Sequence, residues 1–184
     1  MKRVWNTIRV KGAWPMAILF LLLARPTPGV LAAGALLALP GLLIRGWAAG
    51  YIAKDRELAV GGPYAHTRNP LYLGSFLLGL GVSIAGGFPV LILLFLGFFA
   101  LTYTRTIQAE TAVLTERFGE AYRAYCREVP PFLPRLSPYR PLGGEGSASG
   151  AFSMEQYRRN HEWEAALGVV GGFIALTLKF LFLG

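Results

Sequence analysis

The stretch GGPYAHTRNPLYLG, residues 61–74, sets His66, Arg68 and Asn69 at the mouth of an apolar run. Gly61, Gly62 and Pro63 make a turn, and Asn69 with Pro70 starts a helix, because proline's missing N–H costs nothing in a first helical turn. A helix N-terminus already carries partial positive charge, so cations there are mildly unfavourable unless an anion meets them. The pattern predicts an anion site made by Arg68, His66 and the free backbone N–H groups of Leu71, Tyr72, Leu73 and Gly74. A second polar element, YTRTIQAETAVLTERFGEAYRAYCREVPPFLP over residues 103–134, places Arg105 and Glu110 beside the next apolar run. Glu110, Leu114 and Phe118 are spaced by four and share one helix face. A carboxylate that close to lipid needs a cation, either Arg105 or the ammonium of a ligand.

Other chemistries find no foothold. The single cysteine, Cys126, removes disulfides and Cys-cluster metal sites, and His66 and His161 have no partner at ligand spacing, so no metal centre is expected. There is no G-x-S-x-G, and the Gly79–Gly81 pair follows an apolar helix rather than a strand, which suits close helix packing and not nucleotide binding.

The elements that must position these residues are membrane helices. Of 184 residues 54% are hydrophobic and only 15% charged, too apolar a balance for an ordinary soluble domain. At roughly 20 residues per crossing the chain has room for about five spans. The apolar runs are Ala13–Ala24, Thr27–Ile44 with a kink expected near Pro40, Leu71–Ala85, Phe88–Tyr103 and Ala165–Leu183, the third and fourth joined as a tight hairpin at Gly86 and Gly87. The expected fold is therefore all-α, a single polytopic membrane domain over residues 1–184 with a small polar cap. Lys2 and Arg3 ahead of an apolar core also suit a signal peptide, but LLLARPTPG offers no small-residue cleavage site.

Sixteen of the eighteen lysines and arginines, and all ten acids, fall on one side of such a topology. Basic residues at span ends are retained in the cytoplasm, so the N-terminus and the polar cap are expected there and the C-terminus outside. The net charge of +8 then describes an inner cap that meets anionic membrane lipids, with no nucleic acid implied.

At these residues the chain resembles the superfamily of isoprenylcysteine carboxyl methyltransferases and phospholipid methyltransferases. The family pattern runs G-P-Y, R-[HN]-P-x-Y-x-G, E-E-x-x-L, F-G-x-x-Y-x-x-Y and a closing proline. Gly62, Pro63, Tyr64, Arg68, Asn69, Pro70, Tyr72, Gly74, Glu110, Leu114, Phe118, Gly119, Tyr122, Tyr125 and Pro134 follow it in order, over roughly residues 45–136. Thr111 stands where a second acid is usual, and Asn69 where many members have histidine.

The resemblance implies S-adenosylmethionine as methyl donor and a lipophilic acceptor drawn from the bilayer. The donor's carboxylate calls for Arg68 and His66, its ammonium for Glu110, and its adenine for the walls offered by Tyr64, Tyr72, Phe118 and Tyr125, with Asn69, Pro70, Leu73 and Gly74 shaping the site. Arg105 stands near the arginine that precedes the family's acidic pair. A carboxylate acceptor needs no base, whereas an amine or phenol must lose a proton, for which His66, His161 and Glu162 are available. Arg105, His161 and Glu162 are the candidate catalytic residues on this reading. Prenyl-cysteine, a phospholipid amine and a lipid phenol or quinone all fit as acceptors. The stretch SMEQYRRNHEWEAALG is read either as an interfacial helix leading into the last span or as a border of the acceptor pocket. A transporter or assembly factor is the competing class, with Pro40 and Arg45 its only hints.

Overall fold

The structure is a computed structural model that describes residues 17–52, 57–140 and 151–183. Lys2, Arg3, Arg9, Lys11, Lys54, Asp55 and Arg56, the start of the first span and most of the LGGEGSASGAF linker lie outside the described residues. Helix α1 is described over residues 17–23, followed by α2 (Pro28–Tyr51), a 3-10 turn (Gly62–Ala65), α3 (Pro70–Ala85), α4 (Pro89–Glu128), α5 (Met154–Arg159) and α6 (Glu162–Leu183). The described chain is all-α and polytopic. Helices α2, α4 and α6 are each long and apolar enough to cross a membrane. Helix α3, with 16 residues, spans about 24 Å, somewhat less than the ~30 Å hydrocarbon core.

The fourth span carries its helix beyond the apolar run. Past Tyr103 it stays helical to Phe118, as the four-residue spacing of Glu110, Leu114 and Phe118 predicts, and beyond a kink at Gly119 a further helical stretch reaches Glu128. The part before the kink is about 45 Å long, more than the ~30 Å hydrocarbon core. The polar element bearing Glu110 is thus the extension of a span. Its one interruption is Gly119, at φ 54° and ψ −125°, a conformation that residues with a Cβ avoid. Helix α2 likewise runs past Ile44, through Pro40 and on to Tyr51, carrying Arg45 inside the helix.

Helices α2 and α3 pack backbone to backbone. A Cβ on Gly34 would lie 2.4 Å from the Gly81 carbonyl oxygen, and one on Gly41 would lie 2.8 Å from that of Gly74. Between lipid-bathed helices apolar burial gains little, so close van der Waals contact through small residues must do the joining. The α3–α4 hairpin turns on Gly86 and Gly87 as expected. Gly87 takes φ 67°, and the Arg25 amide donates to the Gly86 carbonyl at 2.6 Å.

Helix α6 meets the bundle at its two ends. Leu176 is buried with Ala24, Ala85 and Leu91, and Lys179 Nζ donates to the terminal carbonyls of α1 at Leu21 and Leu22. At the opposite end Asn160 Nδ2 donates to the Ala49 and Ile52 carbonyls, tying α5 to the last turn of α2.

Gly81→Leu should separate α2 from α3 and lower stability by about 1–3 kcal/mol or more. Gly171→Leu, on an α6 face with nothing within 4 Å, should leave the melting temperature in detergent unchanged.

Candidate functional site

The residues ahead of α3 form almost no regular structure, so their shape depends on partners elsewhere. The segment after α4 supplies them. The Arg68 amide donates to the Pro130 carbonyl, the Arg135 amide to the His66 carbonyl and the Tyr139 amide to the Ala65 carbonyl, at 2.9–3.0 Å. Thr67 Oγ1 and Asn69 Nδ2 donate to the carbonyls of Phe132 and Pro131. Beneath them the buried Tyr125 hydroxyl donates to the Tyr64 carbonyl at 2.6 Å. Tyr122, Tyr125 and Val129 pack with Leu58, Leu114 and Phe118 as a small core under this cap.

The clamp leaves a cavity of about 430 Å³. One wall is the loop and first turn of α3, with Tyr64, Arg68, Asn69, Pro70, Leu71 and Tyr72. The facing wall is α4, with Glu110, Val113, Leu114, Arg117, Phe118 and Tyr125, and residues Ile52, Glu57, Leu58 and Ala59 close the rim. Arg68 and Glu110, from separate segments, open onto this one space.

Two buried polar atoms on the first wall have no partner among the described residues: the Tyr64 hydroxyl and Arg68 Nε. Tyr64 is only 6% exposed. Buried polar groups are nearly always satisfied, so each is a donor waiting for an acceptor. Burial, then the charges of Glu110 and Glu162, push the Tyr64 pKa above the ordinary tyrosine range, which keeps its proton on the oxygen. The rest of the Arg68 guanidinium is steadied by Cys126, whose Sγ accepts from Nη1 at 2.8 Å. Tyr72 stands beside Glu110 and edge-on to Tyr103, whose ring stacks on Phe99 at 4.0 Å, so an aromatic column descends from the cavity into the bilayer.

Eight of the fourteen residues assigned to the donor site or to catalysis from sequence thus share one cavity: Tyr64, Arg68, Asn69, Pro70, Tyr72, Glu110, Phe118 and Tyr125. The other six lie outside its lining. His66 turns its Nδ1 to the Arg135 carbonyl at 2.8 Å and serves the clamp. Gly74 is buried against α2, and Arg105 is exposed on α4. His161 sits exposed in the turn between α5 and α6, 3.5 Å from Glu164. Glu162 is held by Arg45, with Nε and Nη2 each donating at 2.9 Å. Nor are the Tyr72 and Leu73 amides free, since the Asn69 carbonyl accepts from both. The unpartnered donors of this wall are thus side-chain groups, Arg68 Nε and the Tyr64 hydroxyl. Val113 and Arg117, not assigned to the site from sequence, join its lining because the face of α4 that carries Glu110, Leu114 and Phe118 carries them too.

A family profile described as phospholipid methyltransferase matches residues 33–121, which include the α3 side of the cavity and Glu110. The cobalt-zinc-cadmium resistance protein CzcN of Cupriavidus metallidurans is 35% identical over 169 residues, covering 88% of this chain and 69% of that protein. The nickel-cobalt-cadmium resistance protein NccN of Alcaligenes xylosoxydans xylosoxydans is 39% identical over 98 residues, 51% of this chain and 45% of that one. The protein-S-isoprenylcysteine O-methyltransferase of Schizosaccharomyces pombe is 35% identical over 83 residues, 45% of this chain and 35% of that enzyme. No solved structure is matched.

Tyr64→Phe removes a buried hydroxyl that nothing among the described residues satisfies, so the ligand-free protein should keep its stability or gain up to about 1 kcal/mol. A phenol whose pKa is raised on folding contributes stability that is complete below about pH 10 and fades as pH rises further. Wild type should accordingly lose more stability than Tyr64→Phe when both are melted above that pH.

Proposed function

The chain belongs to the phospholipid methyltransferase family, and on that premise we propose that it transfers a methyl group from S-adenosylmethionine to a lipid-like or prenyl-like acceptor at the inner face of the membrane. The observation that carries this reading is the shared cavity of Arg68 and Glu110. A molecule with a carboxylate and an ammonium on one carbon needs a cation and an anion at close quarters. The unsatisfied Arg68 Nε and Tyr64 hydroxyl are donors suited to the carboxylate, Glu110 accepts from the ammonium, and Val113, Leu114 and Phe118 offer apolar surface to a purine. The residues present fit the group.

When bound, the donor supplies a methyl carbon on a positively charged sulfur, already activated for displacement. The protein's work is then positional. Arg68 and Glu110 fix the two charged ends, which sets where the methyl carbon points. The apolar α4 face and Tyr72 exclude water, which would compete as acceptor and weaken these ionic contacts. The aromatic column of Tyr72, Tyr103 and Phe99 gives a hydrocarbon-bearing acceptor a route from the bilayer to the cavity.

The described lining contains no histidine, and Glu110 is engaged with the donor on this reading. That composition favours an acceptor whose attacking lone pair is already available, such as a carboxylate, over a protonated amine or a phenol. His161 and Glu162, proposed from sequence as bases, stand outside the cavity lining. Two relatives are named for resistance to cobalt, cadmium, zinc or nickel. On this reading any share this chain has in such resistance runs through a methylated membrane component.

S-Adenosylhomocysteine should bind the detergent-purified protein saturably by calorimetry. Arg68→Ala and Glu110→Gln should each weaken it by about tenfold or more, as expected for charged hydrogen bonds. Absence of saturable binding to wild type would move the protein to a non-enzymatic class, a transporter or assembly factor. Equal binding by both variants would displace the site. Membrane extracts given methyl-labelled donor should yield a labelled lipid, with base-labile label marking a methyl ester and stable label an amine or phenol.

A further inference from the structure

Arg45 lies inside α2, in a chain that keeps most of its charge out of its helical spans. Its guanidinium is only 20% exposed, and the Glu162 carboxylate opposite is 10% exposed. Nε and Nη2 grip both oxygens of Glu162 at 2.9 Å, while Nη1 donates to Ser75 Oγ and, at 3.4 Å, to the Leu71 carbonyl. Ser75 Oγ in turn donates to that same carbonyl at 2.8 Å. One side chain thus joins α2, α6 and the first two turns of α3.

Room for it is built in. A Cβ on Gly74 would lie 2.5 Å from Arg45 Cγ, so the arginine stem needs that position bare. Glu162 is delivered by a turn in which His161 takes φ 54°, anchored by Asn160 on the end of α2 and by the Ser153 amide donating to the Gly50 carbonyl at 2.9 Å. Simple helix association does not require any of this, because the glycine seam already brings α2 and α3 into contact. A partly buried ion pair is a poor way to gain stability, since desolvation offsets most of the attraction. What the pair touches is informative. Leu71 lines the cavity, and Pro70 and Tyr72 on either side of it do too.

We propose that Arg45 and Glu162 are positioning residues for the cavity: the fork between them fixes the first turn of α3, and with it the wall that Pro70, Leu71 and Tyr72 present to the methyl donor. This rests on the donor-site reading above. Neither side chain touches the donor, so the pair acts through α3. Glu162, a candidate base from sequence, acts here by holding Arg45 in register, and α5 and α6 become part of the donor site's support.

Removing one partner alone strands a buried charge and endangers folding, so the decisive variant is the neutral pair Arg45→Met with Glu162→Leu. Ser75→Ala, which deletes one contact and no charge, is the second. In the double variant S-adenosylhomocysteine should bind about tenfold more weakly, the effect of losing one charged hydrogen bond's worth of positioning, and in Ser75→Ala by a smaller factor. The KM for donor should rise while that for a lipid acceptor stays put. Hydrogen exchange should quicken in the amides of residues 71–76 and stay unchanged in residues 120–128, separating a loosened turn from general unfolding. A double variant that folds and binds as wild type does, with exchange in 71–76 unaltered, overturns the proposal. If wild type itself binds no S-adenosylhomocysteine, the donor reading fails. The exchange data then decide alone whether the pair fixes this wall, with unaltered exchange again overturning it.

Discussion

The cavity exists because a short loop with almost no secondary structure is held by main-chain hydrogen bonds from a segment sixty-odd residues later. The Tyr64, His66 and Thr67 amides are paired within the loop, but the Arg68 amide and the Tyr64, Ala65 and His66 carbonyls find their partners far along the chain, and leaving them unpaired in a half-buried site is costly. Residues 130–139 accept and donate along the loop, and the Tyr125 hydroxyl supports it from beneath at the Tyr64 carbonyl. Arg68 and Tyr64 stand on this frame. Their unsatisfied donors are a result of it, since the frame satisfies the main chain and leaves side-chain donors facing inward.

Lipid shapes the rest. Where two helices must approach within the bilayer, glycines let backbone touch backbone, as along the α2–α3 seam. Where a charge enters a helical span, as at Arg45, the chain surrounds it with a carboxylate, a hydroxyl and a carbonyl. The polar cap is different in kind. Its pairs of Glu120 with Arg127 and of Glu155 with Arg159 are exposed and contribute little.

Much of the site was legible in the sequence because its residues come as short ordered motifs. Tyr64, Arg68, Tyr72, Glu110 and Phe118 announce themselves through turn chemistry, through charge at a span end and through helical spacing, and the Gly86–Gly87 hairpin through local composition. What stayed hidden depends on distant partners. Nothing near His66 shows that it will turn to the Arg135 carbonyl, and Arg45 meets Glu162 across 117 residues of chain. The helix beyond Tyr103 was legible in the four-residue spacing of Glu110, Leu114 and Phe118, whereas its kink at the φ-positive Gly119 was not.

The continuity of α4 gives the chain a ruler. Phe99 and Tyr103 are fixed in the aromatic packing below, and Glu110 sits two turns further along the same unbroken helix. Each residue of an α-helix advances about 1.5 Å and turns about 100°. A single insertion or deletion between Tyr103 and Glu110 would therefore swing the carboxylate to another face, however conservative the residue added. Side chains on that stretch are free to vary where they meet only solvent or lipid; the number of residues in it is not.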